Sequence, residues 1–196
     1  IHGTSMLDAI LTNDDDSISH VMAFADLHAQ VLGTPVDTGL PDVRDFLASK
    51  IDNADLPLSQ RTAAKDHMAT LPNGDATLHG DYHPGNILLT PDGPTVIDWG
   101  EASRGDAAAD IARTLVLLTP ESVAGALPNP GTIASFVTEF ANAYKERCTQ
   151  ATAASINTVA AWRLPIVAAR LSEGIAEETA LLRAEVATLT SESPRP

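Results

Sequence analysis

The chain has 196 residues, a formal net charge of −14 and a hydrophobic content of 44%. That is ample apolar material for one domain, or for the large lobe of a two-lobed enzyme, and it argues against a disordered chain. The acidic balance argues against nucleic-acid or anionic-membrane partners, which need a basic face; it suits a cationic substrate, although acidity also serves solubility alone.

Cys148 is the only cysteine, so no internal disulfide and no cysteine-based zinc site can form, and a reducing cytoplasm fits. No apolar run approaches the ~20 residues of a membrane span. The opening lacks the basic region and apolar core of a signal peptide. The chain begins at Ile1 rather than Met, as expected of a piece of a longer protein.

In chain order, Gly3-Thr4-Ser5 supplies a turn, and Ser5 is placed to cap a brief helix through Leu11. Asn13 to Asp16 form an acidic turn, where Asp16 or Ser17 caps a helix. Its apolar positions Ile18, Val21, Met22, Ala25, Ala29 and Leu32 recur at helical spacing, and Gly33 with Pro35 ends it. His28, without a partner nearby in sequence, reads as structural. A second helix is expected from Asp42 to Ile51 with Val43, Phe46 and Leu47 inward, and a third from Ser59 to Leu71, before an Asn73-Gly74 turn. Ala76 to His79 is an extended run. Ile87 to Thr90 and Thr95 to Asp98 are β-type runs joined by Pro91-Asp92-Gly93-Pro94, which is hairpin chemistry. Asp106 is a candidate N-cap for a helix from Ala107 to Leu118.

Farther on, Val123 to Leu127 is a weak helical turn, and Pro128 and Pro130 enforce a loop. Gly131 to Gln150 reads as a long amphipathic helix with Ile133, Phe136, Val137, Phe140 and Tyr144 inward. Ser155 to Ser172 is helical but interrupted at Pro165. A last helix from Ile175 to Leu189 precedes a polar tail. The chain is thus α+β and predominantly α-helical: residues 1–190 form one lobe and 191–196 a frayed tail.

The chemistry concentrates in Leu78-His79-Gly80-Asp81-Tyr82-His83-Pro84-Gly85-Asn86-Ile87-Leu88-Leu89, followed by Thr95-Val96-Ile97-Asp98-Trp99. A tight loop and one hairpin would bring Asp81, Asn86 and Asp98 together. Two carboxylates and an amide suit a hard cation such as Mg²⁺, which takes oxygen ligands. Phosphoryl transfer uses such a group, because the protein mainly positions phosphates and neutralises charge around them.

At these residues the chain resembles the aminoglycoside phosphotransferase/choline kinase family, whose fold is kinase-like. The family's catalytic pattern H-G-D-x-H-P-x-N and its later I-D-[FW] match residues 79–86 and 97–99 without gaps, Trp99 standing where many kinases have Phe. Protein kinases carry related elements with the same interval between Asp and Asn.

The resemblance implies a kinase-like helical C-terminal lobe, with a catalytic loop at 78–89 and a metal-carrying hairpin at 87–98. It also implies an N-terminal β lobe that this chain lacks. No G-x-G-x-x-G and no Walker-type motif occurs in the chain.

Asp81 is the expected catalytic base or orienter of the substrate hydroxyl, the alternative being an Asx turn. Asn86 and Asp98 are the expected Mg²⁺ ligands. By resemblance, His83 stands where protein kinases often place a Lys near the transferred phosphate; it could equally pack the loop. Leu88 and Ile97 would floor the adenine, although strand residues facing a core would read alike.

By the same resemblance His79 tethers the loop. Asp110, in Asp106-Ala-Ala-Ala-Asp110-Ile-Ala, accepts backbone N–H groups of that loop; a first-turn carboxylate at a helix N-terminus is the other reading. Asp14, Asp15, Asp16, Glu101, Glu173, Glu177 and Glu178 are candidates to surround a cationic substrate, most of them expected to be solvated. Trp162 is expected in the core, or else against a pocket.

The expected function is a phosphotransferase that moves the terminal phosphate of ATP or GTP, with Mg²⁺, to a hydroxyl of a small molecule: aminoglycoside-like, an amino alcohol or a sugar. Two other readings compete. One is a zinc-dependent hydrolase using His79, Asp81 and His83; the other is a non-catalytic kinase-like binding module. With half the phosphate cradle missing, this fragment alone is expected to be inactive.

Overall fold

The computed structural model describes residues 2–12, 17–36, 39–124 and 130–192. The Asp14–Asp16 candidates, the Asp16 cap and the Pro128 loop lie outside them.

β1 (Thr4–Ser5) runs into α1 (Met6–Thr12), and Ser5 Oγ accepts from the Asp8 N–H at 3.0 Å. α2 (Ser17–Leu32) packs against α7 (Pro130–Thr152). Phe24 of α2 lies 5.5 Å from the ring of Phe140 and 5.1 Å from that of Tyr144. Met22, expected inward, is 42% exposed, while Phe24 is fully buried. The buried stripe through Val21, Phe24, Ala25 and Leu32 keeps helical spacing but sits slightly rotated from the expected one.

α3 (Val43–Asn53) starts where Asp42 caps it, its carboxylate accepting from Arg44 N–H at 2.9 Å. Val43 and Leu47 are buried, whereas Phe46 is only half-buried. α4 is Leu58–Ala69, about two residues short of the expected end at Leu71.

β2 (Ala76–Leu78) pairs antiparallel with β5 (Ser103–Gly105). β3 (Ile87–Thr90) and β4 (Gly93–Val96) form the expected hairpin, and β1 joins β3 to give the order β1-β3-β4. Thr90 pairs with Gly93, so only Pro91 and Asp92 form the turn. Pro94 is accommodated because β4 is an edge strand. The second strand ends at Val96 rather than Asp98, because Asp98 takes a left-handed conformation (φ 63°, ψ 64°) that no ladder residue adopts.

α5 (Ala107–Leu117) is capped by Asp106, which accepts from Ala108 N–H at 3.0 Å. α6 (Pro120–Ala124) replaces the expected turn at Val123–Leu127, of which residues 125–127 lie outside the description.

The expected break at Pro165 falls instead at Trp162, between α8 (Ile156–Ala161) and α9 (Arg163–Arg170). Pro165 sits in the first turn of α9, where its missing N–H removes no helical bond. α10 (Ala176–Glu192) carries Ser191 inside the helix, so the chain is still helical where a frayed tail was expected to begin. No helix among the described residues is long and apolar enough to cross a membrane.

Trp162 is completely buried, which places it in the core. Its indole N–H donates to Asp106 at 2.9 Å, and the Arg44 guanidinium lies 5.5 Å from its ring. The residue thus joins α3, α5 and the α8–α9 junction. Trp162→Phe should lower the unfolding free energy by about 1–3 kcal/mol, from lost volume and an unpaired acceptor. Leu181→Ser, at an exposed position, should stay within ~0.5 kcal/mol in the same urea titrations.

Candidate active site

The segment between β2 and β3 is held from three sides. Asp110 is buried, and its carboxylate accepts from the N–H of His79 at 2.7 Å, from the N–H of Gly80 at 2.9 Å and from His28 Nε2 at 3.0 Å. Burial pushes its pKa up, but the His28 hydrogen bond and charge and the two amides outweigh that, and the net shift is downward. His28 Nδ1 meets the Tyr144 hydroxyl at 2.6 Å. Tyr82 lies between these groups: its ring stacks 3.9 Å from that of His28, and its hydroxyl donates to Phe24 O at 2.8 Å.

His79 is fully buried and both ring nitrogens are engaged. Nε2 meets the carbonyl of Ile97 at 3.0 Å, so it carries the hydrogen, and Nδ1 accepts from the Asp81 N–H at 3.2 Å. Burial lowers its pKa, in keeping with a neutral ring. Gly80 has φ +80°, and a Cβ there would come within 2.4 Å of Glu101 O. The loop therefore requires glycine at this position.

Asp81 is only partly exposed at the loop's outer side. Asn86 Nδ2 donates to its carbonyl at 2.9 Å and to its carboxylate at 3.2 Å. The His83 ring lies 3.6 Å from Asp81 Oδ2, and Arg113 lies 3.8 Å from Oδ1. Burial raises the Asp81 pKa, but His83, Arg113 and Asn86 together pull it down to about 2. His83 Nδ1 accepts from the Gly85 N–H at 3.1 Å, which closes the turn before Asn86 and aims Nε2 toward Asp81.

The hairpin continues past its strands. Ile97 N–H donates to Asn86 O at 2.9 Å, which sets Asp98 one residue beyond the partner of Asn86. Asp98 is exposed, and its carboxylate makes no hydrogen bond or ion pair among the described residues. With the Asn86 amine turned to Asp81, its amide oxygen is left for another partner. An amide oxygen and a free carboxylate are the oxygen donors a magnesium ion takes.

The zinc set does not form. Among the described residues no group of three or more His, Cys, Asp or Glu side chains is placed to hold a metal, and neither nitrogen of His79 is available.

Leu88 pairs with Thr95 and shares a strand face with Ile97. Both are half-buried and stand outside the core cluster, whereas Ile87, Leu89 and Val96 on the other face pack into it.

The acidic candidates have found cations. Glu101 pairs with Lys50; Glu173 meets Arg113 at 2.8 Å, Lys50 at 3.4 Å and Arg170 as well. Glu178 is buried and accepts from Nε and Nη2 of Arg170, each at 2.8 Å. Glu177 is exposed.

Arg113 and Arg170 escaped the sequence reading, although both are buried beside Asp81 and Arg113 Nε donates to Gly80 O at 3.1 Å. For Arg113 a signal existed: it follows Asp110 at helical i,i+3 spacing, hence on the same face. Arg170 had none, since its approach to Asp81 is purely tertiary.

This predominantly helical lobe with its loop and hairpin has a kinase-like fold. Residues 22–154, more than half of the chain, match the phosphotransferase enzyme family (APH), and the chain belongs to it. No curated protein matches the sequence.

Among solved structures, the choline kinase LicA from Streptococcus pneumoniae is similar, with a TM-score of 0.58 at 14% identity over 90% of this chain and 65% of that one. A thermostable mutant of aminoglycoside phosphotransferase APH(4)-Ia gives 0.63 at 15% identity, over 100% and 71%. A glucosamine kinase gives 0.50 at 17% identity, over 97% and 55%. At such identities the likeness concerns the fold. The chain spans just under two thirds of the length of LicA.

The Asp110 carboxylate yields a pH prediction. Its folded pKa is depressed, so the unfolded state binds the proton more readily, and the stability it contributes is full above the unfolded value of about 3.9 and lost as pH falls through the folded one. Urea midpoints measured from neutral pH down to about 3 should fall less steeply in Asp110→Asn than in the parent, from a lower starting stability.

Proposed function

We propose that the protein transfers the terminal phosphate of ATP or GTP to a hydroxyl of a small molecule. The observation that supports this reading is the backbone hydrogen bond of 2.9 Å from Ile97 N–H to Asn86 O, which puts Asp98 one residue past the partner of Asn86, with Asp81 tied to Asn86 in turn.

In this reading Asn86 and Asp98 hold Mg²⁺ through oxygen. When bound, the ion neutralises charge on the nucleotide's phosphates. Leu88 and Ile97 offer their half-buried face to the base, and His83 stands near the transferred group. A nucleotide-dependent reaction and a lone thiol at Cys148 both suit the cytoplasm.

Asp81 accepts the hydrogen bond of the acceptor hydroxyl. With a pKa of about 2 it is ionised at neutral pH and a weak base, so it orients the hydroxyl first and takes its proton late. As the acceptor oxygen bonds to the terminal phosphorus, the bond from that phosphorus to the bridging oxygen breaks. The nucleoside diphosphate leaves with that electron pair, and the proton passes from Asp81 to solvent. A loose transition state needs little base strength, which makes orientation the larger contribution.

Asp81→Asn should lower kcat by about 100-fold or more while leaving nucleotide affinity within a few fold. Asp98→Asn, which tolerates the left-handed backbone, should abolish the Mg²⁺ dependence of nucleotide binding. Calorimetric titration of nucleotide with and without Mg²⁺ checks this, and an unchanged Mg²⁺ requirement in Asp98→Asn would remove the metal assignment. The 196-residue chain assayed alone is expected to show no turnover, and phosphate transfer by it would overturn that expectation.

A further inference from the structure

Asp81 opens into a cleft of about 310 Å³, a volume typical of small-molecule sites. One wall is α1, with Leu7, Ile10 and Leu11; the other comes from the end of α5 and from α7, with Leu117, Phe136 and Phe140. Its polar lining consists of Asp81, His83, 3.6 Å from the Asp81 carboxylate, and Arg170. Ser122 also borders the cleft, but its hydroxyl is committed to Val116 O at 3.0 Å.

These walls decide what charge an occupant can carry. An ammonium group entering an apolar cleft loses hydration and needs carboxylates in exchange. Among the described residues, the carboxylates near Asp81 are already matched. Glu178 is held by Nε and Nη2 of Arg170, and Glu173 by Arg113 at 2.8 Å and by Nη1 of Arg170. Asp81 faces His83 and Arg113. Arg170 itself lines the cleft with its charge met by those glutamates. Among the described residues, then, no unmatched carboxylate faces the cleft, and an apolar body gains by covering Leu11, which is 45% exposed.

We propose that the phosphoryl acceptor is an uncharged molecule with an apolar body, seated between α1, α5 and α7, that presents a hydroxyl to Asp81. This rests on the transferase reading above and narrows its substrate class.

Binding is read without nucleotide, so that it does not depend on catalysis. Phenylbutanol and its aminomethyl analogue, which differ by one ammonium group, are titrated into the 196-residue chain by ligand-observed NMR and calorimetry. Phenylbutanol should bind about tenfold tighter or better, the preference expected when a charge must be desolvated against apolar walls. Leu11→Asp, at an exposed position that folding tolerates, should weaken phenylbutanol by about tenfold, and Phe136→Ser by a similar factor. Leu181→Asp, exposed on α10 and outside the cleft, should leave it unchanged.

Tighter binding of the ammonium analogue overturns the proposal. So does absence of binding by either probe, or phenylbutanol binding that ignores both Leu11→Asp and Phe136→Ser. Phenylbutanol binding with the expected Leu11 dependence, but no phosphate transfer on adding nucleotide and Mg²⁺ to the longest available form of the protein, removes the transferase reading and supports the chemistry of the cleft.

Discussion

A carboxylate taken wholly out of water persists as an anion only if donors surround it, and Asp110 meets that condition by gripping the loop on which Asp81 stands. Its donors are two consecutive backbone N–H groups of the loop and the ring of His28 from a different helix. The loop conformation, the position of α2 and the start of α5 are thereby bound to one another. Loss of any donor leaves a buried charge short of partners, so the arrangement is close to all-or-none. Tyr82 adds an apolar anchor to the same point by inserting between Phe24 and His28. The loop that carries Asp81 is in this way tied directly to the core beneath it.

Charge at the site follows a different logic from charge on the chain. The protein is strongly acidic as a whole, yet the surroundings of Asp81 are balanced: Arg113 and Arg170 are buried there and face Glu173, Glu178 and Asp81 itself. His83 and Arg113 keep Asp81 ionised, while Arg113 and Arg170 neutralise Glu173 and Glu178. Net charge thus describes the solvated surface and says little about a cleft whose ion pairs are internal.

Much of the architecture was legible because local rules governed it. Ser5, Asp42 and Asp106 cap helices as their chemistry suggests, and Pro91-Asp92 turns a hairpin. The misreadings have local causes as well. Pro165 was expected to break a helix but opens one, because the first turn of a helix has no use for the missing N–H. Asp98 was expected to end a strand, and the strand stops earlier because the chain turns left-handed at that residue. Met22 was expected inward but is exposed, whereas Phe24, about 200° away around the helix, is buried, because α7 packs on the face that carries Phe24.

The sequence by itself determined the helical character of the chain, the hairpin, and the block from His79 to Trp99 with its Asp, Asn and Asp at fixed intervals, since spacing along a chain and turn chemistry are local properties. Only the tertiary structure decided which side chains surround that block. His28, Tyr144, Arg170 and the apolar walls of the cleft come from helices far apart in sequence, and burial and desolvation arise only when those helices meet. The sequence could therefore name the residues of a candidate site, while the polarity of the space in front of Asp81 followed from packing.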